Sequence, residues 1–187
     1  MQQKLEDRRY LNEQIINHQR LIFQIFTFSV IAAIAILGWG LQSIPESGAE
    51  ASVLAPFLLL APMAIIIPCA FIISAIREEV FGWAAYIIVF YESEYETALD
   101  KMRDKTGRFR ESYTSICWTY WIFFSICGAL FIWRIWDSSL HNVLCVLVVI
   151  PLFFLFLWHC KFTKIPSKSN RDRLKKQWLE AKQELIK

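Results

Sequence analysis

The chain has 187 residues, 56% of them hydrophobic and 20% charged, with a mean hydropathy of +0.36. That apolar share exceeds the about 45–50% of a soluble domain and is gathered in blocks, which excludes an ordinary water-soluble core and points to membrane segments. The net charge of +3 is too small for bulk electrostatics to indicate a partner, so the placement of the charges carries the information.

Residues 1–20 are polar and helix-favouring, and Leu11, Ile15, His18 and Ile22 form one stripe that runs into the next segment. The polar lead is long and no small-residue cleavage site follows, so no signal peptide is expected. Residues 21–41 form a first span, 21 residues without a charge, where about 20 suffice to cross a bilayer. Within it Ser29 and Ala33 have the small-xxx-small spacing that lets helices approach closely. A loop without Lys or Arg leads to a second span, 53–76, punctuated by Pro56, Pro62 and Pro68. Pro56 suits a helix start, whereas Pro62 and Pro68 are expected to kink or interrupt the helix. Two readings follow: a broken helix lining a path, or a kinked helix satisfied by its neighbours.

Residues 77–112 form a charged waist. Val80, Trp83, Ala84, Ile87, Tyr91, Tyr95, Ala98 and Met102 keep helical spacing, with acids and bases on the other side. Through Tyr91 this helix is apolar nearly all round, which suits the membrane surface or a contact between subunits. It is expected to end near Thr106 and Gly107. Spans three (113–136) and four (140–158) follow as a helical hairpin, the third carrying Ser125, Gly128 and Ala129 as close-packing residues. Residues 161–187 are a basic tail ending in a helix with a short seam of Leu174, Trp178, Ala181 and Leu185. Together these elements define an all-α membrane protein. It has four transmembrane helices, a cytosolic amphipathic helix between spans 2 and 3, and cytosolic N- and C-terminal helices.

Lys and Arg number four in 1–20, six in 77–112 and nine in 161–187, with Arg134 the remaining one. Cytosolic loops collect Lys and Arg, so both termini and the waist are expected on the cytosolic side of the membrane. Trp39, Trp133 and Trp136 then mark the outer face, and Trp118, Trp121 and Trp158 the inner one.

Catalytic chemistry is sparse. The four spans hold no Asp, Glu or Lys, and the histidines (His18, His141, His159) belong to different segments. No catalytic set and no metal-ligand spacing is present, no cofactor is implied, and an enzyme is not expected. The cysteines Cys69, Cys117, Cys127, Cys145 and Cys160 are scattered in or beside the spans and read as small buried hydrophobes. The cytosolic bases offer more. Arg103, Lys105, Arg108 and Arg110 cluster after the waist helix, and Lys175 and Lys176 lie beside Trp178 in the tail. Two readings follow here as well: positive-inside charge touching lipid headgroups, foremost at Lys161 and Lys164, or a site for a nucleotide or single-stranded nucleic acid with aromatic stacking.

The stretches EDRRYLNEQIINHQR and YIIVFYESEYETALDKM give the chain an organisation that resembles small bacterial membrane effectors of anti-phage defence, of the Hailong-like type. The resemblance implies a homo-oligomer, a tetramer by preference, in which a cytosolic part binds an oligonucleotide and controls a membrane channel. It covers the whole chain as organisation and transfers no residue role. A scaffold that anchors a soluble partner encoded nearby, through the same cytosolic helices, is the alternative.

Overall fold

A computed structural model describes residues 2–42, 55–91, 111–136, 141–165 and 167–186. Five helices account for nearly all of these: α1 Gln2–Gln42, α2 Ala61–Tyr91, α3 Glu111–Ile135, α4 His141–Lys164 and α5 Lys168–Ile186. A 3-10 turn, Ala55–Leu59, precedes α2, and no strand occurs among the described residues. The fold is all-α, as the apolar blocks dictate.

Three stretches are long and apolar enough to cross a membrane: Glu6–Gln42, Pro56–Tyr91 and Thr114–Ile135. Helix α4 meets the same criterion only jointly with α5, which makes a fourth. The polar lead and the first span are one uninterrupted helix, because no Gly or Pro falls between Gln2 and Ile36 to break the stripe. The second span from Ala61 onward and the waist as far as Tyr91 are likewise one helix.

The expected interruption at Pro62 does not occur. Helix α2 begins at Ala61, so Pro62 occupies the first turn, where a backbone N–H has no intrahelical acceptor to lose. The start lies later than Pro56, and Leu60 N–H donates to the Phe57 carbonyl at 3.0 Å to close the intervening 3-10 turn. Pro68 does fall inside α2, removing the i+4 donor from the Ala64 carbonyl, and the helix continues through it.

The chain divides into two compact units. The first comprises the described residues within Met1–Gln24, Ile73–Thr114 and Cys160–Lys187. Its interior holds Val80, Ala85, Ile87 and Val89 of α2, with Phe162 and Ile165 from the end of α4. The near all-round apolar half of the waist is therefore used inside the chain's own first unit. The second unit comprises Ile25–Ile72 and Ser115–His159. Its interior holds Ala33, Ile66, Ala70, Ile116, Cys127, Phe131 and Leu155, together with the fully buried rings of Tyr120 and Trp158.

Small residues set the close approaches in the second unit. A Cβ on Gly40 would meet the Leu58 carbonyl oxygen at 3.3 Å, and one on Gly128 would meet Val148 Cγ1 at 3.4 Å. Phe57 of the 3-10 turn packs on Phe131 of α3 with ring centroids 5.7 Å apart.

Candidate functional site

The first unit carries the polar side chains, and its centre is the boundary between α4 and α5. Helix α4 ends at Lys164, so its last carbonyls have no intrahelical donor. Arg77 of α2 supplies one. It is 3% exposed, its Nη1 donates to the Phe162 carbonyl at 3.4 Å, and its guanidinium lies 4.2 Å from the Phe162 ring centroid. A buried cation at this place is stabilised by the negative end of the helix and by the aromatic face.

Glu78, the next residue, points to Lys161, with Oε2 3.7 Å from Nζ. A cleft of about 420 Å³ opens here, lined by Glu78, Lys161, Lys164, Ile165, Ser167, Ser169, Asn170 and Arg173. The start of α5 forms one wall. Ser167 caps that helix, its Oγ accepting from the Asn170 N–H at 3.3 Å and its carbonyl from the Arg171 N–H at 3.1 Å. Asn170 in turn donates from Nδ2 to the Ile165 carbonyl at 2.9 Å and accepts Arg173 Nη2 at 2.7 Å. Lys161, Lys164 and Arg173 thus line the cleft together with one carboxylate, Glu78.

Further along, α5 lies on α2. Trp178 Nε1 donates to the Gly82 carbonyl at 3.1 Å, and its ring meets Tyr86 edge-on at 4.9 Å. Tyr86 stacks on Phe90 at 4.4 Å. Lys182 Nζ donates to the Val89 carbonyl at 3.0 Å and sits 5.8 Å from the Phe90 centroid. On the N-terminal side, His18 Nδ1 donates to the Gln14 carbonyl at 2.9 Å, which fixes a hydrogen on that nitrogen. Its Nε2 lies 3.7 Å from Glu79, and its ring meets Trp83 edge-on at 4.6 Å.

The second unit has polar contacts of its own among the described residues. Ser29 Oγ donates to the Phe26 carbonyl at 2.7 Å and lies 2.8 Å from Tyr120 Oη. A serine has one hydroxyl hydrogen, and it is committed to Phe26, so Tyr120 is the donor of the second bond. Trp121 Nε1 donates to His159 Nδ1 at 3.4 Å.

The residues singled out in the sequence fall in different places. Arg103, Lys105, Arg108 and Arg110 lie outside the described residues. Lys175 and Lys176 do not line the cleft, and Lys176 pairs with Glu180 one turn on at 3.9 Å. Trp178 faces α2. Ser29 and Ala33 are fully buried within the chain, and Gly128 is buried against Val148. Ser125 and Ala129 are exposed, with Ser125 Oγ donating to the Trp121 carbonyl at 2.9 Å. Sequence reasoning gave Arg77 no role and counted Arg173 only within the basic run of the tail. Only the position of Arg77, first charge after a long apolar run, signalled a boundary role. Among the described residues no three His, Cys, Asp or Glu side chains gather as metal ligands. Cys69, Cys117, Cys127 and Cys160 are not in disulfides.

An all-helical protein with apolar crossing helices and a basic polar end is an integral membrane protein. Residues 2–184 match the family model of the betaine/carnitine/choline family transporters, BCCT, and the chain belongs to that family. No curated protein and no solved structure gives a significant match. Members of a transporter family are not enzymes, which accords with the poverty of catalytic groups in the sequence. The likeness to anti-phage effectors thus holds at the level of a helical membrane protein.

Proposed function

We propose that the chain forms, as a homo-oligomer in a bacterial cell membrane, a path for a small solute, controlled from its cytosolic helices. Family membership across residues 2–184 is the observation that carries this reading. The packing of the second unit supports the oligomer. Its interior is filled by Tyr120, Trp158, Phe131 and Leu155, so a path is better sought between copies than through one. Closed rings are the usual arrangement for such assemblies, and the likeness to Hailong-like effectors favours four copies.

The family name makes quaternary ammonium compounds the solutes to test first. Such cations bind on aromatic faces, and Phe28, Trp118 and Trp133 are exposed on the second unit. Cytosolic control draws on the basic waist (Arg103, Lys105, Arg108 and Arg110), whose clustered charge suits a nucleotide or oligonucleotide; the effector likeness adds antiviral defence as a setting and no residue role.

The test is reconstitution of the full chain into liposomes. Uptake of labelled betaine, carnitine and choline is measured beside ion efflux, with the oligomer sized in parallel. Saturable uptake of one of the three supports a transporter. Ion efflux without uptake favours the gated channel of an effector. Neither flux, with a soluble protein co-purifying, favours a scaffold.

A further inference from the structure

The cleft between Glu78 of α2, the end of α4 and the start of α5 gathers charged and polar side chains that the transport reading does not use. Its volume, about 420 Å³, is in the ~300–1,000 Å³ range of small-ligand sites. Three cationic side chains, Lys161, Lys164 and Arg173, line it against the single carboxylate of Glu78. Ser167, Ser169 and Asn170 add hydroxyl and amide groups, and Ile165 gives an apolar floor. Arg173 donates to Asn170 at 2.7 Å, which brings its guanidinium to the same cleft wall as Ser167 and Asn170. Lys161 and Lys164 belong to the last turn of α4, directly after an apolar run that ends at Trp158. Cations following such a run lie at headgroup depth when the run is in a bilayer.

We propose that this cleft binds a phosphate group, carried by an anionic lipid headgroup or by a soluble phosphorylated compound. The chemistry is shared by both sources: a compact anion that accepts hydrogen bonds from Lys, Arg and hydroxyl groups at once. Glu78 sets the strength. Its carboxylate competes for Lys161 at 3.7 Å and repels the incoming anion. The assignment is independent of the transported solute, so it stands or falls separately from the transport reading.

The experiment uses the purified full chain. In the lipid arm, native mass spectrometry scores retention of phosphatidylglycerol against phosphatidylcholine. In the soluble arm, calorimetry in zwitterionic detergent measures binding of inorganic phosphate. Lys164→Gln with Arg173→Gln is expected to weaken binding about thirtyfold, from two lost charge contacts. Lys175→Gln with Lys176→Gln removes the same amount of charge from α5 outside the cleft and is expected to leave phosphate binding unchanged. Glu78→Gln is expected to tighten binding roughly threefold, a gain that misfolding does not mimic. This ranking in the lipid arm supports a headgroup, and in the soluble arm alone a soluble phosphate. No preference in either arm, or equal loss from the two double variants, overturns the proposal.

Discussion

Ser29 shows how one side chain separates packing within a copy from packing between copies. It is fully buried, donates to its own helix at Phe26 and accepts from Tyr120. Tyr120→Phe removes one donor and leaves Ser29 satisfied by Phe26. The expected cost is about 0.6–1 kcal/mol, a fall of ~2–4 °C in thermal midpoint in detergent. Ala33, one turn further and also fully buried, has no room to grow. Ala33→Leu should cost ~1–3 kcal/mol through overpacking, visible in the same melt. Ser125 and Ala129 are exposed, so Ser125→Leu and Ala129→Leu should leave the melt within a degree or so and act, if copies meet there, on oligomer size. Light scattering of the four variants checks the division. An unchanged oligomer in both Ser125→Leu and Ala129→Leu removes α3 from the contact between copies. The small-xxx-small pattern was legible at both places. Which pair is used internally was not, since identical spacing says nothing of the facing helix.

At the scale of elements, the apolar runs of the sequence locate the helices well because a run of that length has few alternatives. Proline was harder to read. The same residue breaks a helix or begins one according to where the first turn falls, and Pro62 falls in that turn. The tail was harder still. Trp178 invites a stacking role in the sequence, but its partners Tyr86, Phe90 and Gly82 are roughly ninety positions away, beyond the reach of any local pattern. Leu185, expected in the same seam, is 79% exposed, so the seam is used at its start and middle only. The docking of α5 can be tested directly. Trp178→Ala with Lys182→Ala should raise amide exchange across α5 by about tenfold or more, while α3 keeps its protection. Exchange equal to that of the parent chain would show that the docking rests on other contacts.

For the whole molecule, charge placement predicts both termini in the cytosol. Reporter fusions after Glu46 and after Lys187 should report opposite sides, and same-side signals would remove the four-pass arrangement. Control through the waist has its own test. Arg108→Glu with Arg110→Glu should change flux or toxicity at unchanged insertion and oligomer size. The charge reversal removes contacts worth ~1.5–3 kcal/mol each to an anionic ligand. An effect no larger than that of the parent chain with Lys161→Gln and Lys164→Gln would reduce the waist to ordinary positive-inside charge.

The grip of α5 on α2 has a consequence for how the sequence is free to drift. Trp178 and Lys182 bond to main-chain oxygens, those of Gly82 and Val89. Every residue type presents that oxygen, so replacing the side chain at either position leaves the acceptor in place. For these two hydrogen bonds the obligation is one-sided: the tail must keep an indole and an ammonium, while positions 82 and 89 are open to change and only Tyr86 and Phe90, whose rings pack on the tail, are tied to it. An interface of this kind tolerates divergence on one partner without compensating change on the other. Correlated substitutions would therefore be a poor guide to it. A tail helix transplanted from a distant homologue is expected to dock if it carries those two side chains at the same spacing.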